Sequence, residues 1–390
     1  MPPTPAPSVW LPSLTGLRFV AAAVVFVVHA AYGKATEEGG WPPAGLFLTG
    51  TAAVSLFFVL SGFVLTLSAH GAGTARSFWR RRFARLFPSH LVVWAALMLL
   101  LRGVGVSWPG DGLPNTPPPS LLGDLFNALL INTLVPLPQF LFAGNPVTWS
   151  LACELLFYLL FPLLFPLVAR IRSQWLPAVA VGAVAAVWAV PIGSMWLGGP
   201  PLPQDFMDGS LTGLQMWCVY SFPLCQLPQF ILGMVLARMH ADGVAVRFGA
   251  VPSAVLLGVC LVTGLAVLPR PFLFSAATII PVALLVRAVA SLDACGAQSW
   301  LRTRAMVFLG DLTYGFYLLH AAGLAVVMHY WGGWSVVGTV AAFLLTLSAS
   351  WLLHVLVERP CYQRLAVARD RPGGRAAPLA ERPATERIAT

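Results

Sequence analysis

Charge is scarce in this sequence. Only 9% of its 390 residues are Asp, Glu, Lys or Arg, where a water-soluble globular domain carries about 25%. A water-facing surface of this size cannot be built from so few charges, so an ordinary soluble domain is excluded. Disorder is excluded as well, because it needs low hydrophobicity, and 58% of this chain is apolar with a mean hydropathy of +0.80. Lysine is nearly absent: Lys34 is the single one among 23 basic residues. No CxxC spacing links the cysteines (Cys153, Cys218, Cys225, Cys260, Cys295, Cys361). Small apolar packing residues account for them better than a disulfide framework or a zinc site. There is also no GxSxG elbow, Walker A run, HExxH, HxxxxD, or GxGxxG leading into a helix. Hydrolase, ATPase, metalloprotease and soluble acyltransferase chemistry thereby lose their usual signatures.

What is present is a series of apolar runs of about 18–25 residues, each long enough to span a bilayer. Ten are expected, at approximately 14–32, 46–69, 87–104, 148–169, 175–196, 214–237, 250–268, 271–290, 306–330 and 335–357. The run 121–142 is broken by Asp124, Asn127, Asn132, Pro136 and Pro138 and reads as partial or interfacial. The N-terminus has no basic n-region and no cleavage site, so the first run reads as a retained span rather than a signal peptide.

The net charge of +9 reads as membrane orientation rather than nucleic-acid binding, because Lys and Arg accumulate in cytoplasmic loops. With the N-terminus inside, arginines at 76–85, 170–172, 238–247 and 302–304 and in the tail at 359–387 place 18 of the 23 basic residues on the inner side. A span at 121–142 would put the later clusters outside. The expected fold is therefore all-α, a polytopic membrane bundle of about ten helices with both termini cytoplasmic. One membrane domain covers 1–360, and a disordered polar tail covers 361–390. The expected location is the bacterial plasma membrane.

Ionisable residues inside apolar runs are the informative ones, since each costs at least about 2.5–3.5 kcal/mol to insert at the bilayer centre. Arg18 and His29 are eleven residues apart, three helical turns plus about 20° at 100° per residue, so they share one helix face about 16 Å apart. Arg18 falls near the inner end and His29 near the outer. Histidine suits general-base work near neutrality. A snorkelling arginine and a packed histidine account for the pair equally well. Glu154 is expected at a depth comparable with His29, to orient an imidazole or bind an acceptor hydroxyl, or else to serve as a structural partner for an arginine or a hydroxyl. His320 falls mid-to-outer in the ninth run, and Glu358 with Arg359 reads as an interfacial ion pair. Ser61 and Gly62 suit close helix approach. The segment RSFWRRRFARLFPSH reads as an inner loop whose arginines suit either phosphate or simple topological anchoring.

These pieces, in order, resemble the bacterial acyltransferase-3 family of integral membrane acyltransferases: Arg18…His29, FFVLSGFVLT, RRFARLFP, WSLACELLFYLLFPLL, YGFYLLH and VERP, over 14–360. The resemblance implies transfer of an acyl group from cytoplasmic acyl-CoA, as co-substrate with no resident cofactor or metal, to a hydroxyl usually borne by a carbohydrate. It implies His29 as the essential base, Arg18 as its paired cation, Glu154 as a catalytic carboxylate, and Arg82 and Arg85 at the CoA end. His320, Trp149, Ser150, Tyr158, Ser61 and Tyr317 are expected to contact substrate. The opening LPSLTGLRFVAA is similar to short members that acylate sugars of macrolides and other antibiotics. The chain departs from the family where Ala152 and Cys153 leave Glu154 as the only carboxylate. It departs again where Ala321 and Ala322 replace Trp-Pro, which puts a local helix bend in question. The expected partners are acyl-CoA, a hydroxyl-bearing sugar or glycosylated small molecule, and the bilayer, with no nucleic acid. An acyl-enzyme on Cys153 is a minor alternative. The rivals are a proton-coupled transporter, the other membrane O-acyltransferase family with His320 essential, and a membrane scaffold.

Overall fold

A computed structural model describes residues 11–38, 44–69, 73–106, 120–202, 209–245 and 248–367. The chain forms α1 (Pro12–Glu37), α2 (Ala44–Ser68), α3 (Ala75–Met98), the short α4 (Leu121–Ala128) and α5 (Pro138–Leu141), α6 (Trp149–Ala169) and α7 (Leu176–Ser194). There follow α8 (Gly213–Met216), α9 (Pro223–Ala241), α10 (Ala250–Val267), α11 (Ile279–Ala294), α12 (Arg304–Asp311), α13 (Thr313–Trp331), α14 (Val336–Leu353) and α15 (Arg359–Tyr362). No strand occurs among the described residues.

Eight helical stretches among them are long and apolar enough to cross a membrane, and α12 with α13, bent by 67°, makes a ninth. The protein is a polytopic membrane helix bundle. The expected run at 271–290 differs. It begins as a tight turn, Arg270–Leu273, and its helix α11 has only 16 residues. Pro281 stands in the first turn of α11, where its missing N–H has no helical partner to lose, and the residues before Ile279 form turns. The segment 121–142 forms short separate pieces, as its polar breaks imply.

The arginine-rich segment is not a loop. It is the first three turns of α3, started by Thr74, whose hydroxyl accepts from the Ser77 N–H at 3.3 Å. Helical spacing puts Arg82 and Arg85 on one face. At the other end of the chain, helical turns continue through Val367 and the Arg80 guanidinium donates to the Ala366 carbonyl at 3.1 Å. The rest of the expected tail lies outside the described residues.

The bundle is organised around α2, which is buried along most of its length. It crosses α9 with backbone against backbone. A Cβ on Gly62 would lie 2.0 Å from the Phe230 carbonyl oxygen, and one on Gly233 would lie 2.0 Å from that of Val59. The small residue expected at Gly62 does permit this approach, and Gly233 is its counterpart. Around this centre α7, α10 and α14 turn Val, Leu and Ile side chains outward, as helices facing lipid do.

Aromatic packing then sets α1 against α13 and α14. Phe316 is fully buried and meets Phe19, Phe26 and Phe343 with ring centroids 5.5, 5.8 and 5.3 Å away. Each such pair contributes about 0.5–1.5 kcal/mol beyond its burial. Phe19 and Phe26 are two turns apart, so they fix the register of α1 along α13.

Polar contacts collect the arginine-rich ends of the helices at one end of the bundle. Ser13 at the start of α1 holds Asp293 at the end of α11 (2.6 Å), and Ser173 before α7 holds Asp242 after α9 (2.7 Å). Arg287, expected within a span, is buried. It bonds His240 and donates to the Val244 carbonyl at 2.7 Å, joining α11 to the end of α9.

Candidate functional site

Two layers of polar side chains lie between the helices. The first is a pair of imidazoles. His29 on α1 and His320 on α13 have ring centroids 4.9 Å apart, and His320 Nε2 is 3.3 Å from His29 Nδ1. Backbone carbonyls settle which nitrogens carry protons. His320 Nδ1 is 2.7 Å from the Tyr317 carbonyl, and His29 Nδ1 is 2.9 Å from the Val25 carbonyl. A carbonyl only accepts, so both Nδ1 atoms are protonated in the neutral rings. His320 Nε2 is then an acceptor for His29 Nδ1–H. The lone pair of His29 falls on Nε2, which is free of these bonds. His29 is half-buried while His320 is 1% exposed, so His29 is the accessible member and His320 its support.

Tyr317 belongs to the same layer. Its hydroxyl lies 2.7 Å from Ser150 Oγ and donates to the Val147 carbonyl at 3.3 Å. These two expected substrate contacts are buried and mutually satisfied, and they tie α13 to α6. Trp149 is likewise packed in the core, 4.1 Å from Tyr220 and edge-on to Phe58.

The second layer is charged. Glu154 Oε1 accepts from Ser61 Oγ at 3.2 Å and from the Tyr158 hydroxyl. Arg18, Arg82 and Arg85 all lie within electrostatic reach of Glu154 and Tyr158. The Arg82 guanidinium sits 5.7 Å from the Tyr158 ring centroid and 5.4 Å from that of Phe78. Arg85 remains exposed. Glu154 therefore belongs with the arginines. The expectation that it orients His29 is corrected: the hydrogen bonds of His29 go to Val25 and His320. Depth counted from the start of α6 is misleading here, because the partners of a carboxylate are chosen by contact, not depth.

Three residues that sequence reasoning left out of the site line this layer. Glu358, expected at the interface, is buried. It takes a 3.0 Å contact from His354 Nδ1 and faces Arg85. The widened helical turn His354–Glu358 puts these two side chains one turn apart on one side. Tyr362 and Tyr314 also lie near Arg85, and the Tyr314 hydroxyl donates to the Leu86 carbonyl at 2.6 Å. VERP was noted as a motif, but nothing in its spacing shows that it folds back onto α3.

The helix bend that Ala321 and Ala322 put in question after His320 is absent. α13 runs unbroken from Thr313 to Trp331, and the chain bends before it, at Leu312. A buried asparagine network missed at the sequence level holds α13 instead. Asn145 Nδ2 donates to the Leu318 carbonyl at 2.9 Å. Asn127 Nδ2 donates to Thr148 Oγ1 at 2.7 Å, and its Oδ1 accepts the Asn145 N–H at 3.2 Å. His90 Nε2 completes the chain against the Asn127 carbonyl at 3.1 Å. In the sequence Asn127 reads as a mere interruption of the run 121–142, and Asn145 lies between two runs. Their excess of hydrogen-bonding groups was the available signal. Asn145→Ala removes the side-chain tether to the Leu318 carbonyl, two residues before His320. A loss of about 0.5–1.5 kcal/mol is expected, read as a lower thermal midpoint of the protein in detergent, with a fall in kcat exceeding any change in KM.

The protein is thus an integral membrane protein that holds an imidazole pair and a cluster of guanidinium groups between its helices. The comparisons narrow the class. Residues 11–355 match the acyltransferase-3 family model, described as an acyltransferase domain, and the chain belongs to that family. It is 35% identical over 377 residues to Acyltransferase MdmB of Streptomyces mycarofaciens, covering 93% of this chain and 94% of that protein. It is 37% identical over 161 residues to Protein 2 in picA locus of Rhizobium radiobacter, covering 37% of this chain and 76% of that protein. No solved structure matches the chain. Acyl transfer in the membrane is the activity of this protein.

Proposed function

We propose that the protein transfers a short acyl group, such as acetyl, from cytoplasmic acyl-CoA to a hydroxyl of a carbohydrate or glycosylated natural product at the bacterial plasma membrane, with His29 as general base. The observation that carries this reading is the hydrogen-bonded His29–His320 pair. It leaves a lone pair on the accessible ring, about 16 Å along α1 from Arg18.

In the proposed step His29 Nε2 takes the proton of the acceptor hydroxyl as its oxygen attacks the thioester carbonyl. The C–S bond then breaks, and the proton passes from the imidazolium to the departing CoA thiolate. His320 Nε2, accepting from His29 Nδ1–H, stabilises the imidazolium and holds the ring. The charged layer serves the donor. Arg18, Arg82 and Arg85 outnumber Glu154 and Glu358, which leaves net positive charge, and guanidinium groups pair with phosphate through two parallel bonds. Glu154, held by Ser61 and Tyr158, keeps the arginines apart and oriented while the donor is absent.

The test uses the protein in lipid nanodiscs with acyl-labelled acetyl-CoA and a panel of glycosylated acceptors. CoA release that depends on the acceptor, with label in an ester on the sugar, supports the reading. Proton-gradient-driven uptake of the same compounds into vesicles without acyl-CoA, and no ester, would replace it with transport. Within this reading Arg82→Ala combined with Arg85→Ala raises the KM for acetyl-CoA by at least about tenfold, equivalent to 1.4 kcal/mol. The KM for the acceptor stays the same. An unchanged acetyl-CoA KM would assign these arginines to membrane orientation.

A further inference from the structure

Two thiols meet across the break that precedes α9. Cys218 lies in the widened turn Trp217–Ser221, and Cys225 lies in the first turn of α9, beyond the extended Phe222 and Pro223. The break folds the chain so that residues seven apart come together, with their Sγ atoms 3.4 Å apart. Both are half-buried, whereas Cys153 is fully enclosed. Among the described residues no other two cysteines make such a contact.

The position in the bundle matters. α9 runs from Pro223 to Ala241, and its far end carries Arg238 and joins Ser173 through Asp242. Sixteen residues at 1.5 Å each place Cys225 about 24 Å from that arginine-rich end. With the arginine-rich end cytoplasmic, the pair lies within the span Gly213–Ala241, in the half nearer the opposite side, the side where thiols meet oxidising conditions. The break is also tied to the charged layer. Cys153 Sγ–H donates to the Ser221 carbonyl at 3.4 Å, and Cys153 immediately precedes Glu154 on α6.

We propose that Cys218 and Cys225 are a redox modification site that closes into a reversible disulfide, with a disulfide-bearing oxidant as reactant. One thiolate attacks a sulfur of the oxidant, forming a mixed disulfide and expelling one oxidant thiol. The second cysteine then attacks the mixed disulfide and expels the other. Two protons and two electrons leave the cysteines, and the oxidant's S–S bond becomes two thiols. The sulfurs need to close from 3.4 Å to about 2.05 Å. The closed bond would staple the break and the carbonyl that Cys153 holds.

The test uses the full chain in lipid nanodiscs, treated with oxidised glutathione, then denatured and alkylated with a maleimide. The reduced protein has six alkylatable cysteines. Oxidation is expected to remove two, with an intact-mass loss of two hydrogens and no added glutathione, and dithiothreitol restores them. Peptide mass spectrometry should locate the link between residues 218 and 225. Cys153→Ser should still form it and Cys218→Ser should not. Six alkylatable thiols after oxidation, glutathione adducts alone, or a link between other cysteines would each overturn the proposal.

Discussion

Replacing His29 by alanine is expected to lower kcat for acyl transfer by about 10²–10⁴-fold, the usual contribution of a positioned general base. The KM for the acyl donor should stay nearly constant, because the arginines that would hold it lie elsewhere on the bundle. His29→Asn is the sharper variant. Its amide can still donate to the Val25 carbonyl, so the local packing of α1 survives, but it offers no basic nitrogen. The same loss in both variants, in protein of unchanged thermal midpoint, separates lost chemistry from lost structure. His320→Phe is expected to cost less. It removes the acceptor for His29 Nδ1–H, while the Val25 carbonyl, 2.9 Å away, still fixes the ring. Retained transfer in His29→Asn would remove the base from the mechanism. A loss in His320→Phe larger than that in His29→Asn would exchange the roles of the two rings.

The second large effect is structural. Gly233→Ala is expected to prevent stable assembly of α2 with α9. Helix propensity alone favours alanine over glycine by about 1 kcal/mol. The new methyl carbon, however, would lie 2.0 Å from the Val59 carbonyl oxygen. That neighbour is backbone and cannot rotate away. Overpacking a core costs about 1–3 kcal/mol where side chains can adjust, and here two central helices would have to separate. The steric term wins. Gly62→Ala on the facing helix meets the Phe230 carbonyl at the same distance and should behave alike. Gly258, on the outward-facing α10 with open space around it, is the control: its alanine variant should fold as well as the wild type or better. Fluorescence-detected size-exclusion chromatography of the three variants in detergent decides the matter. A monodisperse Gly233→Ala peak at wild-type yield would count against the crossing.

Much of this architecture was readable in the amino-acid order because a bilayer penalises charge so heavily. The low count of ionisable residues identified the solvent, and the apolar runs located the helices. The Arg18–His29 spacing required only the helical period. The reading failed where an answer depended on a helix start. The arginines after Thr74 were read as a loop because charge resembles a loop in hydropathy. A threonine cap and helix-forming side chains extend α3 through them, and this turns Arg82 and Arg85 toward α6. The run at 271–290 was read as a full span because its composition is apolar throughout. The helix starts only at Ile279, with Pro281 in its first turn, and composition is blind to that.

The candidate site divides in the same way. The sequence by itself determined that Arg18, His29, Glu154 and His320 are polar residues within apolar runs of a protein with few of them, and that acyltransferase-3 motifs surround each one. Only the tertiary structure decided their pairing. His29 meets His320, 291 positions away, because Phe19, Phe26 and Phe316 set the register of α1 on α13. Glu154 turns to Ser61, Tyr158 and the arginines because α2 and α3 pack there. Glu358 returns from the end of the chain to face Arg85. Periodicity reports which face of a helix a residue occupies, and it contains no term for which other helix that face will touch. That choice belongs to packing, made here by two glycines that let backbones meet and by aromatic side chains that lock the register.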